Sequence, residues 1–200
     1  MRRRSSNRST PRCAGVISQD QLRANGTTTA PTAQARLIPG LLVVISCVKK
    51  KVWDKNASAA RSCRADAAYV GPYFRKNSSY ARMFGEAWCI LSAKYGFVFP
   101  NDEIENYNVT FRSRSSEVID VPRLREQVAA KRLSRFTSVQ ILGGSKYVER
   151  TVAAFASSRL SIEAPLAGLR IGEAMRAVEA ATTSGTLLRN SGPANLRRCG

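Results

Sequence analysis

The strongest constraint on this chain is one short segment, Leu41-Leu42-Val43-Val44-Ile45-Ser46-Cys47, which has no charge and no polar–apolar alternation. Branched side chains fit a pleated surface, and a strand without a polar face has water on neither side. The run therefore predicts a strand at 41–47 buried on both faces, as in a parallel sheet covered by helices. The apolar stretch around it, 37–48, is interrupted by Pro39, Gly40 and Ser46. It is too short to span a bilayer, so no membrane association is expected.

The rest of the sequence repeats an alternation of helical stripes and buried runs. Pro72 opens a helix whose apolar positions are Phe74, Tyr80, Ala81 and Phe84, with a second strand at 88–92. Val121, Leu124, Val128 and Leu133 mark a helix over 121–135. A third strand at 138–142 ends in Gly143-Gly144, and Ser145 reads as the N-cap of the next helix. Ile162 starts one more strand, and Ile171, Met175 and Val178 give a closing helix over 169–181. Segments 48–71 and 93–120 read as loops. The expected fold is α/β and three-layered, with a mostly parallel sheet of at least three strands flanked by helices.

Two hundred residues are enough for one ordinary domain, placed here at 41–181. Residues 1–40 carry seven arginines and one acid among Ser, Thr, Asn, Ala and Pro. Such a stretch buries too little apolar surface to offset its ordering entropy, so a disordered basic tail is expected. A transit peptide or a misassigned start would look the same. Residues 182–200 are expected to form a flexible C-terminal tail.

The chain has no histidine, which excludes Ser-His-Asp and Cys-His catalysis and every His-ligated metal site. Its five cysteines include no CxxC pair, so no metal and no cofactor are expected. Odd, widely spaced cysteines suit reduced thiols in the cytoplasm better than a disulfide scaffold. The formal net charge is +18, which favours partners bearing phosphates.

Open parallel sheets bind ligands beyond the carboxyl ends of their strands. Those ends deliver Ser46, Cys47 and Lys49 from the first strand, Ser92, Lys94 and Tyr95 from the second, and Gly143, Gly144, Ser145 and Lys146 from the third. Lysines converging there with a Gly-Gly turn before a helix would suit a phosphate or another anion. Lys49-Lys50-Lys51 also fits a plain solvated charge run, and Gly143-Gly144 a tight turn without a ligand. The acidic segment 101–107 offers Asp102, Glu103 and Glu105 as general bases, and Cys47 is a conceivable nucleophile. Exposed aromatic rings beside the lysines would make a base-stacking platform.

The segment Ile90-Leu91-Ser92-Ala93-Lys94-Tyr95-Gly96-Phe97-Val98, followed by Pro100, Ile104 and Tyr107, resembles a signature of bacterial and phage proteins of unknown function. Ile45-Ser46-Cys47-Val48-Lys49-Lys50-Lys51 resembles the first-strand motif of that group, and Pro165-Leu166-Ala167-Gly168-Leu169-Arg170-Ile171-Gly172 also fits it. The first two motifs are distantly similar to the YaaA peroxide-stress family. Cys47-Val48 stands where that family has Pro-Ala. The YaaA likeness implies DNA binding and a stress-protective role. Together these readings favour a protein that binds nucleic acid, or a nucleotide or anion, at its strand ends. The alternative is an enzyme acting on a nucleotide or nucleobase, by glycosidic-bond or base-modification chemistry.

Overall fold

The computed structural model describes residues 36–56 and 60–190. The basic tail expected at 1–40 lies, up to residue 35, outside the described residues, as does 191–200. The first strand, β1 (Ile38–Ser46), is fully buried from Leu42 through Ile45. Ser62–Arg64 forms β2, Ala65–Ala68 a single turn α1, and Pro72–Phe84 the helix α2. Then come β3 (Gly85–Ser92), β4 (Gly96–Val98), β5 (Glu103–Glu105) and α3 (Val121–Ala130). The chain closes with β6 (Ser138–Leu142), α4 (Ser145–Ala154), β7 (Ser161–Glu163) and α5 (Ile171–Ser184).

Five strands form one sheet in the order β4-β3-β1-β6-β7. Strands β3, β1, β6 and β7 run parallel; β4 folds back antiparallel on β3. Because β3 and β6 lie on opposite sides of β1, the chain reverses its winding there. Right-handed crossovers then put helices on both faces of the sheet. Accordingly α2 packs with α5 over β1 and β3, and α3 packs with α4 over β4 and β6. The α/β layering read from the sequence is the architecture of the molecule.

Several boundaries and faces differ from expectation. The expected loops 48–71 and 93–120 are stitched together by an antiparallel ribbon, with Cys63 opposite Ile104. Backbone bonds from Ala65 and Asp66 to the carbonyls of Asp102 and Pro100 extend that seam. The N-cap of α4 is Gly144, and Ser145 is already inside the helix. On α5 the packed positions are Ala174, Val178 and Ala181, whereas Ile171 is 65% exposed. Small residues there let α5 approach α2 closely.

Helix α5 also continues three residues past the expected boundary at 181, and the chain then returns to the core. The buried Tyr80 hydroxyl donates to Gln140 Oε1 at 2.7 Å and accepts the Leu188 N–H at 2.9 Å. Gln140 Nε2 donates to the Leu188 carbonyl at 2.8 Å. Residues 185–190 are therefore held by contacts with the domain, among them these two core side chains, the Arg189–Glu163 pair and the Ala164 N–H donating to Asn190. Gln140→Leu should remove the acceptor of the Tyr80 hydroxyl proton and the donor to the Leu188 carbonyl, costing about 1–3 kcal/mol. Denaturant unfolding reads the loss, and proteolysis after residue 184 should be faster than in the parent.

Candidate functional site at the carboxyl edge of the sheet

The carboxyl ends of β3, β1 and β6 lie side by side, as parallel register requires. They bring Ser46, Ser92 and Gly143 together, and all three are buried. Gly143 is needed for that closeness: a Cβ there would lie 3.0 Å from Tyr147 Cβ and 3.1 Å from Ser46 Cβ.

Tyrosines, not a common hollow, fill the space beyond these ends. Ser92 Oγ donates to the Tyr107 hydroxyl at 2.9 Å and accepts the N–H groups of Lys94 and Tyr95 at 3.2 and 3.1 Å. The Tyr107 and Tyr69 hydroxyls are 2.7 Å apart. On the β6 side the Tyr147 hydroxyl donates to the Cys47 carbonyl at 3.2 Å and lies 3.2 Å from Cys47 Sγ. The Ser92 end of the LSAKYG motif thus serves to hold the turn that follows β3 and to anchor Tyr107.

Lys51 departs most from the reading of 49–51 as a solvated run. It is 4% exposed. Its Nζ donates to the carbonyls of Tyr107 and Lys49 at 2.8 and 3.2 Å and sits 4.1 Å above the Tyr107 ring. Among the described residues no carboxylate pairs with this ammonium. Burial lowers its pKa, opposed by Cys47 and Asp54 and reinforced by Lys49. Lys51 therefore fastens 106–108 to the strand end, while Lys49 and Lys50 stay exposed.

Three clefts open around this plug. One, about 480 Å³, is lined by Lys49, Lys50, Lys51, Asp54 and residues 106–108. A second, about 520 Å³, lies at the end of β6 and includes Arg112, Ser145 and Lys146. The third, about 420 Å³, includes Lys94, Tyr95, Glu117, Asp120 and Arg123. The single pocket expected from the sequence is thus divided, with Lys49, Lys146 and Lys94 in separate clefts. Lys94 is shared with Glu117 at 3.8 Å, and Lys146 with Glu149 at 3.0 Å.

The carboxylates proposed as bases stand outside these clefts. The Asp102 carboxylate accepts the Phe99 N–H at 2.9 Å and pairs with Lys131 at 3.1 Å. Glu105 pairs with Arg61 at 2.9 Å on the exposed ribbon. The stacking platform also takes another form, because cations already cover the rings. Lys94 Nζ lies 5.6 Å from the Tyr95 centroid, and Arg150 Cζ 4.5 Å from that of Phe111. Sequence reasoning missed Tyr69, Arg112 and Arg123 as parts of this edge. Tyr147 follows the third strand directly, whereas Arg112 and Arg123 lack any local signal.

The buried hydroxyls bear on stability at high pH. Burial is the first cause raising the pKa values of Tyr69, Tyr80, Tyr107 and Tyr147 above their ordinary 10.0. Burial likewise pushes the Cys89 thiol from 9.0 up to about 12. A raised folded pKa gives stability that is complete below the unfolded value and lost as pH climbs toward the folded one. Lys51 acts in the opposite sense, gaining stability as pH approaches 10.5, but it is one group against five. Stability should be level near neutrality and fall from pH 9 upward, and tyrosinate absorbance equivalent to more than two of the chain's six tyrosines should appear only together with loss of helical circular dichroism. More than two tyrosinates per chain well before unfolding would contradict the burial of the other four hydroxyls.

No solved structure matches the chain at a significant level. The chain is 40% identical over 107 residues to the uncharacterized protein YfjM of Bacillus subtilis, an alignment covering 53% of this chain and 71% of that protein. A family profile described as a family of unknown function, DUF6884, matches residues 42–180, from the core of β1 into α5. The chain belongs to the DUF6884 family.

Proposed function

We propose that this protein binds nucleic acid, or a nucleotide or similar phosphate-bearing anion, at the carboxyl edge of its sheet. One observation carries the reading: all three clefts at that edge are lined by exposed cations, and four of these, Lys49, Lys50, Arg112 and Arg123, form no ion pair among the described residues. Unpaired cations on a protein of net charge +18 attract phosphates and gain by releasing their counterions. The likeness of two motifs to the DNA-binding YaaA family points the same way. The enzyme alternative draws less support, because Asp102 and Glu105 line none of the three clefts and are engaged in ion pairs with Lys131 and Arg61. Rings already covered by cations favour backbone contacts over base stacking.

The test is fluorescence anisotropy with a labelled oligonucleotide, single- or double-stranded, over a range of salt. Binding should weaken log-linearly, with a slope of about −0.9 per contacted phosphate on a duplex and about −0.7 on a single strand. Absence of binding at low ionic strength would overturn the reading.

A further inference from the structure

The cleft at the end of β6 differs from the other two in what lines it. The Lys49–Lys50 cleft contains Asp54, and the Lys94 cleft contains Glu117 and Asp120. The β6 cleft has Arg112 and Lys146 and no carboxylate in its lining, Glu149 reaching Lys146 at 3.0 Å from outside it. The rest of its lining includes the apolar side chains Phe111, Tyr147, Leu166 and Leu169. Phe111 and Tyr147 brace each other edge to face, with centroids 5.1 Å apart, and Arg150 backs the Phe111 ring. That aromatic pair is rigid.

Leu166 and Leu169 come from the Pro165–Gly172 motif, which neither the fold nor the phosphate reading explains. Two backbone bonds, Ala167 N–H to Ala164 and Leu169 N–H to Leu166, coil this segment. Gly168, at φ +81°, turns it beside the cleft. The result leaves Leu169 43% exposed, one of three large apolar side chains so exposed among the described residues. An apolar side chain held at a cationic rim is suited to a ligand with one charged and one apolar part.

We propose that the β6 cleft binds a nucleoside monophosphate, with the phosphate between Arg112 and Lys146 and the nucleoside against Leu169, beside the buried Leu166. This rests on the phosphate-binding reading above and adds to it a ligand class and a place. A volume of about 520 Å³ suits a ligand of this size. The guanidinium supplies fork-shaped donors for phosphate oxygens, and Leu169 supplies the apolar surface that a bare anion would not use.

The test is isothermal titration of the whole chain with adenosine monophosphate, ribose 5-phosphate and inorganic phosphate. The monophosphate should bind at one site per chain, at least about tenfold more tightly than inorganic phosphate, with ribose 5-phosphate between them. Arg112→Ala should weaken all three ligands about tenfold. Leu169→Ser should weaken only the adenosine ligand, bringing it toward ribose 5-phosphate. Both side chains are exposed, so both variants should keep the parent circular dichroism spectrum and melting temperature. Equal affinity for all three ligands, or a Leu169→Ser variant indistinguishable from the parent, would overturn the proposal in favour of a plain anion site. No saturable adenosine monophosphate binding, with oligonucleotide binding intact, would overturn this site and leave the broader reading standing. Loss of both would remove the two together.

Discussion

Tyr107→Ala is expected to lower the unfolding free energy by about 3–5 kcal/mol, the range for truncating a buried aromatic side chain. Three separate attachments would go at once. The hydroxyl joins Ser92 to Tyr69, the ring lies beneath the Lys51 ammonium, and Tyr95 packs edge-on at 5.5 Å. The 6% exposed ring would leave a cavity beneath the lysine loop. Tyr107→Phe keeps the ring and removes the hydroxyl bonds, and should cost about 1–3 kcal/mol. Against a usual total of roughly 5–15 kcal/mol, the alanine variant should be close to unfolding at 37 °C. Urea denaturation of the two variants separates ring from hydroxyl. An alanine variant within about 1 kcal/mol of the parent would show that Tyr107 is not central to this edge.

Gly96→Ala should cost about 2–4 kcal/mol, although it adds one methyl group. Gly96 closes the LSAKYG motif at φ +74°, a conformation that burdens any residue with a Cβ. A Cβ there would also overlap the Gln127 amide oxygen and come within 2.7 Å of Ile119 Cδ1. Gln127 cannot easily move away. Its Oε1 accepts the Phe97 N–H at 2.8 Å, and its Nε2 donates to the Tyr95 carbonyl at 2.8 Å. The substitution therefore disturbs the turn that presents Lys94 and the contact of α3 with β4 together. Thermal unfolding measures the loss. A variant as stable as the parent would mean that the turn relaxes freely, and the motif glycine would need another explanation.

These cases show what the sequence could reveal. Strand β1 was legible because burial on both faces removes periodicity, and nothing but a covered sheet tolerates that pattern. Strand β3 was read three residues short because Glu86 breaks the apolar run. Its carboxylate accepts the Gly40 N–H at 2.6 Å, a partner 46 positions away. The ribbon strands β2 and β5 are three residues each, too short for alternation to register. For the site, topology alone placed the strand ends on one edge. The tyrosine plug was not legible, because Tyr69, Tyr107 and Tyr147 come from three different segments. Lys51 looked like its neighbours Lys49 and Lys50, and only the fold distinguishes the buried ammonium from the two in solvent.

Binding of nucleic acid at the carboxyl edge is distinguishable from attraction by net charge alone. Two triple variants of equal charge test it. One replaces Lys49, Arg112 and Arg123, one exposed cation from each cleft, with Gln. The other replaces Arg132, Arg135 and Arg159, which precede the starts of β6 and β7 at the opposite edge. The salt dependence of duplex binding is measured for both against the parent. The carboxyl-edge variant should bind more weakly, with a slope shallower by about 2–3, while the opposite-edge variant keeps the parent slope. Equal shifts in the two variants, or a larger shift in the second, would contradict the account.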